Sequence, residues 1–519
     1  MRIDYVNITE FKNLKGFEID LDENFMETVL LGQNATGKSN FIESLVLIFK
    51  YLDLEKPCDF DYKIKYLCRG KNIVVEFKEG KYEFFIEEKK TTAAEFNRNK
   101  NDYLPKYVFT YYSGISNRLK EHFDQHQKRF YDKIIKPDVE HSEIDNLRRL
   151  FYVQTVHSYF VLLAYFSFEE QEKESIEFLK TVLGIEDLES ILFVLHKPIW
   201  KNGKGDERFW GADGLVKDFL NSVWDLSIAP IYDEVTVPIN FRKNTKQERL
   251  YLYVSTKEKL KELAKIYDSN TEFFKALEST YISDLIEEVK VKVKKKNVNG
   301  ELSFKELSEG EQQLLTVIGL LKFTKDEESL ILLDEPDTHL NPVWKWSYLQ
   351  YLKDVVNTEK DATQIILNTH DPLVIGSLVK EQVRMFSNNN GTITALPPDV
   401  DPKGLGVAGI LTSELFGLPT TLDEETTNVL ERRNELLLKQ EKEELSVEEK
   451  IELNEIFQNL NSLGINTTDR DPLYQRFIVA ISDKDEFKKE KYTAEELKEQ
   501  NEIALETLDE LLKEQGKKK

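Results

Sequence analysis

The sequence predicts an α/β head split in two along the chain, with a helical insert between the halves and a helical region at the C-terminal end. Three observations carry that expectation. The apolar, β-branched run Thr28-Val29-Leu30-Leu31 stops at Gly32 and a short loop, after which apolar residues recur at helical spacing through Phe41, Leu45, Ile48 and Phe49. Two further apolar runs of strand length, Leu330-Ile331-Leu332-Leu333 and Ile365-Ile366-Leu367, stand far downstream, and continuous runs of this kind mark strands buried on both faces. The intervening stretch loses strand periodicity. The expected units are 1–115 and 285–398 as the two halves of the head, 116–284 as a helical lobe, and 399–519 as a helical region for partner binding or oligomerisation.

In chain order, Ile3, Tyr5, Ile8 and Phe11, then Phe17, Ile19 and Leu21, alternate with polar residues. They predict two strands joined at Asn13-Leu14-Lys15-Gly16. The buried strand and the helix from Lys38 follow, then two strands around Glu79-Gly80. In 116–284 apolar spacings of three and four, as in Phe160, Leu163, Ala164 and Phe168, predict globular helices without the sustained heptads of a coiled coil. Strands return at 289–295 and 302–304 across a turn at Asn297-Val298-Asn299-Gly300. Lys290, Lys292 and Lys294 alternate with Val291 and Val293, which predicts a strand with one charged face; Lys295 and Lys296 extend it. Such a face is either solvated or a contact for nucleic-acid phosphates. Past Gly404-Leu405-Gly406, charged segments at 423–441 and 446–460 predict an antiparallel helical hairpin, with Leu436, Leu437, Ile451 and Phe457 to be covered, and the tail from 493 a charged helix.

Composition bounds the function. The net charge of −23 argues against a chain that wraps nucleic acid over most of its surface. No apolar run approaches the roughly 20 residues of a membrane helix, and Met-Arg-Ile-Asp-Tyr-Val lacks the apolar stretch of a signal peptide. The two cysteines, Cys58 and Cys68, form no disulfide framework. A cytoplasmic protein with no membrane contact is expected.

Gly32-Gln33-Asn34-Ala35-Thr36-Gly37-Lys38-Ser39 matches G-x-x-x-x-G-K-[ST] in full, between a strand and a helix. Backbone N–H groups of such a loop cradle phosphates at the positive end of the helix, here Gly32, Asn34, Ala35, Thr36, Gly37 and Asn40; Lys38 bridges β- and γ-phosphates and Ser39 holds Mg²⁺. The strand ending Asp334-Glu335 supplies a second Mg²⁺ ligand, Asp334, and a carboxylate, Glu335, able to accept a proton from attacking water. ATP and Mg²⁺ are the expected cofactors. Ser308 followed by Glu311 reads as a helix capping box. His122 and His126 lie one helical turn apart, either a metal pair or, as expected from their charged surroundings, a solvated helix face. Of three Asp-x-Asp pairs after His370, Asp399-Val400-Asp401 and Asp469-Arg470-Asp471 read as turns and Asp483-Lys484-Asp485 as a solvated turn or helix start, so no nuclease site is expected.

As a set these motifs resemble the RecF/SMC branch of ABC ATPases. Leu307-Ser308-Glu309-Gly310-Glu311-Gln312-Gln313 is similar to the signature motif, Asp337-Thr338-His339-Leu340-Asn341-Pro342 to the D-loop, Thr369-His370-Asp371 to the switch histidine, and Phe11-Lys12-Asn13-Leu14 to a RecF-like start. The resemblance covers 1–113 and 285–398. It implies ATP sandwiched between two heads, with Ser308, Gly310 and Glu311 gripping the nucleotide of the other copy, Lys12 and Asn13 beside the nucleotide, and Glu335 and His370 catalytic. It also implies a Q-loop glutamine, but no glutamine lies between Asn34 and Asp124, and Tyr111-Tyr112-Ser113-Gly114 stands in its place. Slow hydrolysis is therefore expected.

That segment, the run Gly409-Ile410-Leu411-Thr412-Ser413-Glu414-Leu415-Phe416-Gly417-Leu418 and Asp471-Pro472-Leu473-Tyr474 resemble the ATPase subunit of Septu-type antiphage systems, including retron-associated ones. That resemblance implies a regulatory ATPase with homodimeric or higher assembly, a separate HNH-type nuclease subunit, and in retrons a reverse transcriptase with its nucleic acid. The alternative is a RecF-like repair ATPase that binds DNA ends or gaps.

Overall fold

The computed structural model describes residues 1–114, 118–134, 136, 149–198, 205–240, 242–296, 301–303, 307–322, 328–356, 363–441, 445–463, 472–482, 484–487 and 494–517. The chain divides into two compact units: 1–30, 35–371 and 386–395; and 31–34, 372–385 and 396–519.

Six strands form an antiparallel sheet in the order β2-β1-β4-β5-β6-β7: β1 (Arg2–Phe11), β2 (Leu14–Asp20), β4 (Tyr62–Cys68), β5 (Lys71–Lys78), β6 (Lys81–Ile86) and β7 (Lys89–Thr91). The first hairpin turns at Lys12-Asn13, earlier than expected, with Leu14 already paired to Phe11. Lys12 takes the left-handed backbone conformation there, φ 54°.

The second sheet is the α/β core, in the order β18-β17-β3-β16-β15-β8-β9: β3 (Glu27–Gly32), β8 (Tyr107–Tyr112), β9 (Leu150–Tyr152), β15 (Ser329–Asp334), β16 (Thr363–Asn368), β17 (Val383–Asn389) and β18 (Thr392–Leu396). Strands β3, β16, β15, β8 and β9 run parallel, so two halves far apart in sequence close one sheet. β15 and β16 are buried at every position, which is why their sequences are continuous apolar runs. The helix Lys38–Leu54 lays Phe41, Leu45, Ile48 and Phe49 into the core shared by the two sheets, against Ile8, Phe17, Leu332 and Ile366. Cys58 and Cys68 are free thiols buried in this core.

Segment 116–284 departs from expectation. Its helices include Val156–Ser167, whose apolar run is buried as expected, but three long strands also lie there: β10 (Ile185–His196), β11 (Ile231–Asn240) and β12 (Lys243–Val254). With β13 (Ile286–Lys295) and β14 (Glu301–Ser303) they form an antiparallel sheet in the order β11-β12-β10-β13-β14. The lobe is mixed α/β rather than helical. Bulges in the β10–β13 pairing, between Ile185 and Asp187 and between Leu188 and Ser190, explain the misreading. Each adds a residue, so the apolar positions fall at 185, 188 and 191 and imitate a helix. Pro238 is tolerated because β11 is an edge strand. On β13, Val289, Val291 and Val293 are buried and Lys290, Lys292 and Lys294 exposed, as the alternation predicts. The expected turn at 297–300 and Phe304 lie outside the described residues.

In the second unit, helices Glu424–Glu441 and Val447–Ser462 pair as the expected hairpin. Leu430 and Leu460 are its buried centre, and Arg432 grips Glu452 with two bonds of 2.8 and 2.9 Å. Leu436 is covered, while Ile451 stays exposed. The tail forms the helix Ala494–Lys517. No helix among the described residues is long and apolar enough to cross a membrane.

Candidate nucleotide site

The site forms where β3, β15 and β16 end. β3 stops at Gly32 and the helix begins at Lys38, capped by Gly37 at φ 95°. The loop needs unusual backbone: Gly32 has φ 142° and Ala35 φ 64°. A Cβ on Gly37 would also meet Leu14 Cδ2 at 2.7 Å, so only glycine serves there. Asn13 braces the loop: its Nδ2 donates to the Ala35 carbonyl at 3.0 Å and its Oδ1 accepts from Asn40 at 2.6 Å. Asn34 lies in the turn and Thr36 is buried.

Parallel register sets the acidic half. Asp334, at the end of β15, lies opposite Asn368 of β16 and Tyr112 of β8. Its Oδ1 accepts from Ser39 Oγ at 3.1 Å and from Asn368 Nδ2. Its Oδ2 is buried with no hydrogen-bond partner. Burial pushes this carboxyl up. An orphaned oxygen beside the Ser39 hydroxyl fits an oxygen-seeking cation such as Mg²⁺. Lys38 is also buried; desolvation pushes its ammonium down to about 8, against the pull of Glu335 and Asp334. A buried ammonium at the start of a helix fits a phosphate ligand.

Glu335 takes the left-handed conformation at φ 53° and donates its N–H to Asn368 O at 2.9 Å, which turns its side chain away from the buried end of β15. His370 Nε2 stands 3.6 Å from Glu335 Oε1. Burial first, then the neighbouring Lys38 charge, lowers the imidazole's pKa and favours its neutral form. Lys38, Ser39, Asp334, Glu335 and His370 thus converge, as the motifs predict.

Ser308 and Glu311 form the capping box: Ser308 Oγ accepts from Glu311 N at 3.3 Å, and Glu311 Oε2 accepts from Ser308 N at 2.8 Å. Lys295 pairs with Glu311. Gly310 is pressed against the backbone of 337–342, where a Cβ would meet the His339 carbonyl at 2.4 Å. Gln313 ties the same segments, donating to Tyr111 OH at 3.1 Å and accepting from His339 N at 3.1 Å. Asp337, pushed up to about 6 by burial, accepts from Thr369 Oγ1 at 2.8 Å. In the place of the missing glutamine, Ser113 N–H donates to Asp334 O at 3.3 Å and Ser113 Oγ meets Thr338 Oγ1 at 3.1 Å.

Sequence reasoning missed a buried charge network behind the loop. Glu43, on the phosphate-loop helix, accepts from Lys12 Nζ at 2.6 and 2.5 Å, from Arg118 Nη2 at 2.7 Å, and meets His122 Nε2 at 3.0 Å. Burial alone would raise this carboxyl, but those hydrogen bonds hold it down at about 2. Lys12 is therefore engaged by Glu43. Farther along the helix, buried Asp53 meets His126 Nε2 at 3.0 Å and accepts from Arg149 Nε at 3.0 Å. The expected solvated face of His122 and His126 is corrected: each faces a carboxylate of the helix Lys38–Leu54, and His126 is fully buried. A polar residue buried by a partner distant in sequence leaves no local signature, although an acid at a helical core position, as at Glu43 and Asp53, is a hint.

Asp399-Val400-Asp401 is a turn, as expected: Asp401 Oδ1 accepts from Lys380 N at 2.8 Å, and Glu414 caps the N–H groups of Asp399 and Val400. Asp485 begins a single helical turn with Glu486 and Phe487. Asp469, Arg470, Asp471 and Asp483 lie outside the described residues.

A parallel sheet bearing a phosphate loop, a strand-end Asp-Glu pair and a facing histidine defines an α/β ATPase head split in sequence. The chain belongs to the AAA ATPase domain family, whose model matches residues 1–375. It is 29% identical over 161 residues to the Septu protein PtuA of Bacillus mycoides (strain KBAB4), covering 28% of this chain and 22% of that protein. It is 27% identical over 122 residues to the retron Vc95 probable ATPase of Vibrio cholerae serotype O1 biovar El Tor, covering 21% and 23%. These matches span about a fifth of the relatives' length. Among solved structures, an SMC head bound to the C-terminal winged-helix domain of ScpA aligns over 77% of this chain and 98% of its own, with a TM-score of 0.34 at 11% identity. An ABC transporter cassette in its ADP conformation aligns over 80% and 95%, with a TM-score of 0.26 at 13% identity.

Proposed function

We propose that this chain is the ATP-binding, slowly hydrolysing regulatory subunit of an antiphage defence complex, acting on a separate nuclease subunit. The observation that carries the chemistry is the convergence of Lys38, Ser39, Asp334, Glu335 and His370 at one end of the parallel sheet. Lys38 and the loop N–H groups hold the phosphates; Ser39 Oγ and the unpaired Asp334 Oδ2 would hold Mg²⁺, which would supply charge neutralisation at the phosphates. Glu335 Oε1 takes the proton of the attacking water, and neutral His370 donates toward the terminal phosphate. Ser308 and Gly310 serve a second copy's nucleotide, so the active form is a homodimer or higher homo-oligomer. Partial similarity to PtuA and to a retron ATPase supports the defence assignment, with an HNH-type nuclease and, in a retron setting, a reverse transcriptase with its nucleic acid as partners. The protein works in the cytoplasm.

The test is reconstitution with the nuclease encoded beside this chain. The two are expected to copurify, and nuclease activity to change between ATP-bound and ATP-free states. Purified chain should release phosphate far below the ~10 per second typical of enzymes. Failure to copurify, or nuclease activity indifferent to ATP, refutes the regulatory role. The exposed lysines of β13 favour a second reading, ATP-dependent DNA binding by this chain alone, marked by steep salt dependence.

A further inference from the structure

Glu43 serves two cations at once. Two cations, Lys12 Nζ and the Arg118 guanidinium, share one carboxylate that is itself buried. Both stand beside the first turn of the phosphate-loop helix. Arg118 Nη2 also donates to Asn40 Oδ1 at 2.8 Å, one residue past Ser39. Its Nε is buried with no hydrogen-bond partner. A guanidinium offers five donors in a planar fork, and leaving a buried one unmet is costly. An anion at the mouth of this helix would meet the orphaned donor.

Resting on the ATP-binding reading above, we propose that Arg118 is a phosphate sensor acting within its own chain: Glu43 anchors it, and its free donors engage the terminal phosphate of a bound nucleoside triphosphate. Arginine suits this because its fork matches phosphate oxygens, as a lysine point charge does not. Position adds to the case. In sequence Arg118 stands soon after β8, the strand paired with the β15 strand that ends at Asp334.

The experiment compares Mg-ATP and Mg-ADP binding by calorimetry for the full chain and for Arg118→Ala, Arg118→Lys and Lys38→Ala. Arg118→Ala is expected to weaken ATP about tenfold, the worth of one charge-assisted hydrogen bond, and ADP about twofold or less; Arg118→Lys should fall between. A merely structural arginine would move both nucleotides alike. Equal loss for ATP and ADP, or no loss for either, overturns the proposal. If Arg118→Ala does not fold, Arg118→Gln, which keeps a donor for Glu43 and Asn40, carries the same comparison. Lys38→Ala separates the two readings. Loss of both nucleotides there with an unchanged ATP-to-ADP ratio in the Arg118 variants sinks the sensor alone; intact binding in Lys38→Ala sinks the nucleotide site and the sensor with it.

Discussion

Lys38 works against the fold that holds it. Burial lowers its ammonium from 10.5 to about 8, so the folded chain binds fewer protons than the unfolded chain between those values. Stability from this group therefore rises across that window, and the full penalty applies at neutral pH. At ~1.4 kcal/mol per pH unit it is on the order of 3 kcal/mol. Lys38→Met should abolish ATP binding yet leave the nucleotide-free melting temperature unchanged or raised; a clear fall in that temperature would contradict a strained lysine. Glu43 has the opposite sign. Its folded value, about 2, lies below the ordinary 4.5, so its contribution is full above pH 4.5 and fades as pH falls toward 2. Glu43→Gln should destabilise the chain at pH 7 by on the order of 2–3 kcal/mol, because Lys12 and Arg118 lose their carboxylate, and by much less near pH 3. Denaturant titrations at the two pH values check both numbers. The convergence of residues at fixed motif spacing, such as Lys38, Ser39 and Asp334, was legible in the sequence. Glu43 and Arg118 were not, since their pairing spans 75 positions and depends on the tertiary fold.

Elements were legible where periodicity was undisturbed. β3, β15 and β16 announce themselves because both faces are covered, and the helix Lys38–Leu54 because one loop motif opens it. β10 hid because its bulges stretch an alternating pattern to a spacing of three. The Ser308–Glu311 capping box shows how one element serves two ends. It starts the helix Glu309–Lys322, and it also fixes Gly310 against the His339 carbonyl. Ser308→Ala should cost about 1 kcal/mol through the lost cap. Gly310→Ala should cost on the order of 1–3 kcal/mol, because the new methyl must displace backbone rather than a flexible side chain. If unfolding curves show Gly310→Ala as stable as the parent, the close approach of these two segments is wrong.

At the scale of the whole molecule, the proposed function divides one reaction between two half-sites. Lys38, Ser39, Asp334, Glu335 and His370 gather at one end of the parallel sheet, the proposed phosphate-and-metal half. Ser308 and Gly310 sit at the start of another helix, where Gly310 packs against the backbone of His339. A helix start is, in general, a place where an anion can bind. Its use by a second copy would couple assembly to nucleotide. Under that proposal Glu335 would end such a state, since removing its base would slow hydrolysis while leaving Lys38 and Asp334 to bind. Glu335→Gln should therefore remain competent for Mg-ATP and accumulate as the ATP-bound dimer or larger assembly. Light scattering on the variant should show mass doubling or more with Mg-ATP and none with Mg-ADP. Adding Lys38→Ala should return it to its nucleotide-free state. A variant of constant mass in all three conditions would mean that each head works alone and that the cap at Ser308 is only a cap.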